Sequence, residues 1–364
     1  MNINFHYFTV KTLARAAGFD EPEAQQIAQY SQFVDDYNPP AFMTCTNIPE
    51  HIRISDTLDL YVRSGMDNFR PVATGFTNPF EYAGLLLGRD QRLILSPFHF
   101  TPFDENYAGI PEHRVVPLVH GDNSLMDRFL HREISDLPTY ENLNIPLMRI
   151  GMLLHTFADT YAHQMFTGYV SWANRVNIIE ARSNAMLTDC TAQVREGIGL
   201  INRALGNLPP IGHVQAGHNP DLSDIAFAFS YVENAGDNKT LVHSQDNTEV
   251  FLQAGEQIYT YLQECSANPI PWEELAPKLR KCFLIEMPRR NIVSALAKYW
   301  EEIFPENNYE YSSSAIRRGF RKLPTSVGSF VRNALSAYTD EFYEYNVMAN
   351  EVLAALYGAR PRGG

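Results

Sequence analysis

The sequence predicts an all-α protein built as a multi-helix bundle. Three observations support this prediction: apolar residues recur at helical spacing over long segments, capping residues and Pro or Gly breaks separate those segments, and strand signals are scarce. The most apolar segment, residues 145–166, carries apolar side chains on nearly every face. Such a segment predicts a buried helix at the centre of the bundle.

The composition is that of an acidic globular protein. Hydrophobic residues make up 45% of the 364 residues, enough for one large core or two modest ones. The formal charge of −13 argues against stable binding of double-stranded nucleic acid, which needs clustered Lys and Arg, and it gives no attraction to anionic lipid surfaces.

The sequence gives no sign of a membrane or secretory segment. No apolar run approaches the roughly 20 residues that a membrane helix requires, and the N-terminal residues lack the basic start and apolar core of a secretory signal. The four cysteines are widely spaced, which is typical of reduced thiols. We therefore expect a protein that is cytoplasmic as synthesised, with export by a signal-independent route as an alternative.

The first two predicted helices form a hairpin. Residues 4–17 predict a helix that Gly18 ends, and Asp20 is placed to cap a second helix that continues to about residue 37, with Pro22 early, where its missing N–H is harmless. Antiparallel helices of similar length bring opposite ends together. This arrangement brings three candidate metal ligands near one another: His6, Asp35 and Asp36.

The segment between the hairpin and the central helix offers one more candidate. Residues 39–75 look irregular, with a short β-like segment near 51–62, and a helix is predicted over 79–87. His99 then lies between two Phe residues and is bracketed by prolines, which predicts a buried and rigidly held imidazole. A metal ligand and a packed core histidine remain equal alternatives for it.

The central helix carries the most concentrated polar pattern. His155, Asp159 and His163 are spaced four residues apart, so they share one face of a helix over residues 145–166. Burying them without partners is unfavourable. Imidazole nitrogen and carboxylate oxygen suit zinc or another first-row divalent ion. We therefore favour a metal ion over local hydrogen bonding for this trio.

A second concentration of histidines follows a helix predicted over residues 185–205. His213 and His218 lie in a glycine-interrupted loop, and neither has an easy structural explanation. Asp221 is interpreted as the N-cap of a further helix. The other histidines, among them His120 and His131, lie in polar surroundings and are interpreted as structural.

The rest of the chain predicts more helices, at residues 247–264, 272–284, 288–304 and 325–357. We expect residues 1–240 to form a helical metal-binding core and residues 241–357 to pack on it, in one continuous domain. Residues 358–364 are expected to be a flexible tail.

In their order along the chain, the candidate ligands resemble those of the zinc-dependent phospholipase C and single-strand-specific zinc nuclease superfamily. The likeness covers about residues 1–225 and is clearest at Leu154-His155-Thr156-Phe157-Ala158-Asp159, which looks like the family's central helix. It implies a helical bundle of the phospholipase C type, here with additional C-terminal helices. By resemblance the divalent ions are zinc, one to three in number, and Asp159 bridges two of them. The metal ligands that the resemblance implies in this sequence are His6, Asp35 or Asp36, His99, His155, Asp159, His163, and His213 or His218.

The resemblance also implies an activity, the metal-dependent hydrolysis of phosphate esters. Phospholipid head groups are preferred as substrate over nucleic acid, because the negative charge disfavours a polyanion. Asp35 is expected to bind metal and to accept the proton of the attacking water. Three alternatives stay open: a nuclease or nucleotide phosphodiesterase, a non-catalytic helical protein with a structural metal, and a secreted effector or toxin. The sequence leaves the oligomeric state open.

Overall fold

The protein has a mixed α/β structure, so the all-α prediction is wrong. A computed structural model describes residues 1–63, 67–76, 88–205, 209–237, 239–265, 268–288, 290–322 and 337–358. Within these ranges the helices are accompanied by two antiparallel sheets. The helix predicted over 79–87 and the first part of the one predicted over 325–357 lie outside the described residues.

The described strands form one small and one larger sheet. The first contains β1 (Met43–Thr44), β2 (Tyr61–Arg63) and β3 (Asp67–Phe69) in the order β1-β3-β2. The second contains β4 (Asn177–Ser183), β5 (Thr188–Asp189), β6 (Ile225–Val232) and β7 (Thr240–Asp246) in the order β5-β4-β6-β7.

Strand β6 shows why the all-α prediction failed. Its residues alternate between large β-favouring side chains and small ones, with Phe227 and Phe229 both buried. This period of two predicts a strand. The intervening Ala226 and Ala228 favour helices in isolation, but pairing with β4 and β7 and burial of the phenylalanines decide the conformation.

The helices of the described part of the chain are α1 (Val10–Ala16), α2 (Glu21–Asp36), α3 (Glu50–Arg53), α4 (Leu125–Asp136), α5 (Asn144–Ala162), α6 (Thr191–Leu205), α7 (Asn247–Gln263), α8 (Trp272–Phe283), α9 (Ile292–Ile303), α10 (Ser313–Gly319) and α11 (Asp340–Tyr357). Two π-helical segments in these ranges contain candidate ligands: Asn4–Thr9 contains His6, and Gln91–His99 contains His99. None of the described helices is both long and apolar enough to cross a membrane.

The predicted helical hairpin at the N-terminus is confirmed. Gly18, with φ of 100°, follows α1, and Asp20 caps α2. The Asp20 carboxylate accepts from the Glu23 N–H at 2.9 Å, and the Glu23 carboxylate accepts from the Asp20 N–H at 2.8 Å. This reciprocal pair satisfies N–H groups that a helix start leaves free.

Helix α2 packs closely on the central helix α5 because Gly151 has no side chain. A Cβ atom placed on Gly151 would lie 2.3 Å from the carbonyl oxygen of Ile27. The glycine therefore permits a backbone approach that no other residue allows at this position. The approach places Asp35, near the end of α2, beside the histidine of α5 at position 155.

The buried apolar side chains of the described residues form two clusters. The larger one joins the helices, from Phe5 and Leu13 in the first segments to Leu353 in α11. The smaller one packs beneath the larger sheet and includes Phe166 and Phe229, whose rings lie 5.3 Å apart. The C-terminal helices contact the start of the chain directly.

Candidate metal centre

The carboxylate of Asp159 lies at the centre of a buried group of histidines. Its Oδ1 is 3.1 Å from His6 Nε2, and its Oδ2 is 3.1 Å from His99 Nδ1 and 3.3 Å from His155 Nε2. Asp159 is only 1% exposed. Burial would raise its pKa, but the N-terminal amino group and the surrounding histidines hold the pKa well below its usual value. The central carboxylate is therefore ionised.

Asp35 completes this half of the site. Its Oδ1 lies 3.8 Å from both His99 Nδ1 and His155 Nε2. The ligand atoms of Asp35, His99 and His155 all lie within 4.8 Å of one another, as do those of His6, His155 and Asp159. His155 belongs to both groups, so the two groups form one continuous patch of nitrogen and oxygen donors.

A further group of donors lies beyond the end of α5. The helix ends at Ala162 and His163 is its C-cap, but His163 keeps the predicted alignment, since its Nδ1 lies 3.7 Å from Asp159 Oδ2. Its Nε2 lies 3.0 Å from Asp221 Oδ1, and His213 Nε2 lies 3.4 Å from Asp221 Oδ2. His163 therefore joins a third group that sequence reasoning had not assembled.

Asp221 was missed as a ligand because it has a good local explanation as a helix cap. In the structure it ends a short 3₁₀ turn, Asn219–Asp221, and the next regular element is β6. The useful signal was its proximity to two histidines in one loop. Burial raises its pKa, but His213, the N-terminal amino group and His163 lower it far below the usual range.

The α-amino group of Met1 also reaches the site. It donates to Asp159 Oδ1 and lies 3.4 Å from Asp221 Oδ1. Met1 is not among the candidate ligands predicted from the sequence. The π-helical segment Asn4–Thr9 begins three residues after Met1 and contains His6, and both the Met1 amino group and the His6 ring contact Asp159 Oδ1.

Two candidate ligands do not take part in these groups. The carboxylate of Asp36 accepts from the hydroxyl of Tyr311, and its carbonyl accepts from Arg317. His218 is exposed and belongs to no group of potential ligands among the described residues. We call the remaining side chains the central cluster: His6, Asp35, His99, His155, Asp159, His163, His213 and Asp221.

Backbone carbonyls fix the rings of three of these histidines. His99 Nε2 lies 2.8 Å from the Thr74 carbonyl oxygen, His163 Nδ1 lies 2.6 Å from the His99 carbonyl oxygen, and His213 Nδ1 lies 2.8 Å from that of Gly217. A carbonyl only accepts, so each of these nitrogens carries the proton. In a neutral ring the opposite nitrogen then presents its lone pair to a carboxylate of the cluster.

Burial keeps two of the rings neutral. It lowers the pKa of His6 to about 4, with His155 adding to the effect, and it lowers the pKa of His213 to about 4 against the opposing charge of Asp221. Burial also acts on His99, but hydrogen bonding and proximity to Asp159 outweigh it and raise its pKa. The cluster thus combines two neutral imidazoles, those of His6 and His213, with His99, whose surroundings favour the protonated ring.

The donor set fits a divalent metal. Metal binding requires neutral imidazole, which burial supplies at His6 and His213, and ionised carboxylate, which the surrounding charges supply at Asp159 and Asp221. Outward hydrogen bonds to carbonyls are the usual way in which metal-binding histidines are oriented. In addition, the Nδ1 atoms of His6 and His155 are buried with no hydrogen-bond partner among the described residues.

Comparison with known proteins yields one match. The model of the Family of unknown function (DUF6765) matches residues 1–353, a range that contains the whole central cluster. No curated protein and no solved structure matches the chain.

Proposed function

The chain belongs to the DUF6765 family, and we propose that it is a metal-dependent hydrolase of phosphate esters that binds divalent ions, zinc first, at the central cluster. Its preferred substrates in this proposal are phospholipid head groups, as in a phospholipase C. The resemblance of the ligand order to zinc-dependent phospholipase C and the geometry of the cluster support the proposal together.

One observation carries the proposal: ring nitrogens of two histidines face buried carboxylates. His163 donates through Nδ1 to a carbonyl and turns Nε2 to Asp221 Oδ1 at 3.0 Å. His99 donates through Nε2 to a carbonyl and turns Nδ1 to Asp159 Oδ2 at 3.1 Å, and the raised pKa of His99 indicates that a positive charge is favoured at this point. A cation between a ring nitrogen and a carboxylate at such distances is stabilised by both. A metal ion supplies that charge and uses both as ligands.

The cluster offers two places for ions. His163, His213 and Asp221 would hold one, in the loop-facing half. The other half consists of the two groups that share His155, and here Asp159 would be the carboxylate ligand, since its two oxygens face different histidines. Bound divalent ions would polarise phosphoryl oxygens and make a water molecule nucleophilic at neutral pH.

Asp35 is the residue that we assign to proton transfer. Its side chain is 31% exposed, whereas that of Asp159 is 1% exposed, so water and substrate can reach it. Its Oδ1 faces His99 and His155 at 3.8 Å, and its Oδ2 accepts from Gln32 Nε2 at 3.1 Å. These contacts orient the carboxylate to accept a proton from water beside the substrate. Asp159, buried and strongly acidic, serves as a permanent anion.

The proposal is tested by hydrolysis of bis(p-nitrophenyl) phosphate and of phosphatidylcholine vesicles by the zinc-loaded chain, with and without chelator. We expect chelator-sensitive turnover, and a loss of about 100-fold or more in kcat for Asp35→Asn. The exposed His218→Gln variant is the matched control and should keep full activity. A zinc-loaded chain that hydrolyses neither ester would overturn the catalytic assignment and leave a structural metal site.

A further inference from the structure

A second convergence of ligand atoms lies outside the central cluster. The side chains of His120, His131 and Glu264 bring one potential ligand atom each to within 4.8 Å of the others. His120 Nε2 lies 2.5 Å from Glu264 Oε1, and His131 Nδ1 lies 3.7 Å from Glu264 Oε2. We call these three residues the peripheral triad. It shares no residue with the central cluster.

Asp127 fixes the tautomer of His131. The Asp127 carboxylate accepts from the N–H groups of Gly121 and Asn123, at 2.8 and 3.0 Å, and from the hydroxyl of Tyr261. It is therefore an acceptor, and His131 Nε2, 3.2 Å from its Oδ1, carries a proton toward it. In the neutral ring the lone pair of His131 Nδ1 then points to Glu264.

A carboxylate that accepts from the second ring nitrogen, as Asp127 does here, commonly orients a metal-binding imidazole. Asp127 is 4% exposed and is held by backbone groups, so it positions the ring firmly. On the opposite side, the His120 ring packs on Tyr261 with centroids 4.5 Å apart. Both imidazoles are thus oriented before any ligand arrives.

We infer that the peripheral triad is a metal site that holds one zinc ion through His120, His131 and Glu264. Two nitrogens and one carboxylate oxygen are a common zinc ligand set, and three protein ligands leave a fourth position for water. The side chains of His120, His131 and Glu264 are 25%, 36% and 36% exposed, which gives an ion access from solvent.

The site would fasten three elements together. His120 belongs to the loop before α4, His131 lies on α4, and Glu264 caps the end of α7. Tyr261 of α7 also packs against Phe157 of α5, with ring centroids 5.4 Å apart. An ion in the triad would therefore stabilise the contact of α7 with the helix that carries the central cluster, without taking part in its chemistry.

Zinc stoichiometry tests the inference. The full chain and its variants are equilibrated with buffered zinc, and bound zinc is measured by mass spectrometry. We expect His131→Gln and Glu264→Gln each to lose about one zinc per chain while keeping the remaining zinc and the wild-type circular dichroism. The control is His51→Gln, because the exposed His51 also pairs with a carboxylate, Glu344 at 3.1 Å, but belongs to no group of three potential ligands in the described part of the chain. It should lose none.

The position of the ion gives an independent reading. Crystals of the wild-type chain grown with zinc should show an anomalous peak between the side chains of the triad, whatever the occupancy of the central cluster. Unchanged zinc content in both glutamine variants, or no peak at the triad at saturating zinc, would overturn the inference and leave an ordinary ion pair. A peak at the triad with none in the central cluster would support the inference and count against the proposed function instead.

Discussion

His163 Nε2 lies 3.0 Å from Asp221 Oδ1, although 58 residues separate the two along the chain. Because the other ring nitrogen of His163 donates to a carbonyl, the ring is held with Nε2 facing the carboxylate. The pair joins the end of the central helix to the loop before β6. It therefore defines one half of the proposed metal site, which substitution can alter separately from the half around Asp159.

Asp221→Asn is expected to empty one half of the central cluster. The amide keeps the volume but loses the charge and one of the strong oxygen ligands, so bound zinc should fall by about one ion per chain. The measurement is zinc content after dialysis. His218→Gln, in the same loop but exposed, serves as control and should retain all zinc. Equal zinc content in Asp221→Asn and wild type would contradict the assignment of Asp221.

Gly151→Ala is expected to separate α2 from α5. The added Cβ would lie 2.3 Å from the Ile27 carbonyl oxygen, and overpacking of this kind costs about 1–3 kcal/mol. Urea denaturation should show this loss in the free energy of unfolding. Zinc affinity should fall as well, because Asp35 would move away from His155. Gly197→Ala on α6, where an added Cβ meets no atom within 4 Å, is the control and should not destabilise the chain.

Glu133→Ala is expected to be strongly destabilising. Its side chain is 3% exposed and binds Arg149, which is 12% exposed, at 2.9 Å. Removing Glu133 takes away the most buried partner of Arg149 and leaves Glu351 at 2.8 Å and Glu344 at 3.9 Å, so the charge of Arg149 is compensated only in part, at a cost of about 3 kcal/mol. Arg132 contacts the same carboxylate at 2.7 Å but is 45% exposed, so Arg132→Ala should cost less than about 1 kcal/mol. Similar losses in the two variants would contradict this account.

His113 should make the fold sensitive to acid. Burial lowers the pKa of this imidazole below its ordinary 6.5, and its ring stacks on Tyr107 at 4.2 Å. Below pH 6.5 the unfolded chain therefore binds a proton that the folded chain rejects, and stability falls as the pH falls. His113→Phe keeps the stacking and should reduce this slope in urea titrations between pH 7 and about 5. His243→Gln should act in the same direction, because burial also lowers the pKa of His243. An unchanged slope in both variants would refute the prediction.

Local rules predicted the N-terminal hairpin well, because caps and breaks are written in neighbouring residues. The helix start depends on the capping pair Asp20 and Glu23, and the end of the preceding helix depends on Gly18. These residues lie within a few positions of the helix ends that they determine. The end of α5 was less predictable. His163 keeps the helical spacing of His155 and Asp159, but the helix ends at Ala162, four residues before the predicted end, and the Nδ1 of His163 donates to the His99 carbonyl.

The larger sheet could not be predicted from local pattern alone, because its strands are stabilised by partners far along the chain. Strand β4 pairs with β6, so that Ala181 faces Phe227 across nearly fifty residues of sequence. The partnership of Asp221 with His163 and His213 has the same origin, since tertiary contacts bring the loop to the helix end. Residue type and spacing proposed the ligands near Asp159, whereas only the fold could select Asp35 over Asp36.

Anomalous X-ray scattering at the zinc edge, from crystals of the chain grown with zinc, tests the central claim most directly. The account predicts peaks within the central cluster, one beside His163, His213 and Asp221 and another among His99, His155 and Asp159. Absence of any peak there at saturating zinc, with the imidazoles bound to the carboxylates through protons alone, would contradict it.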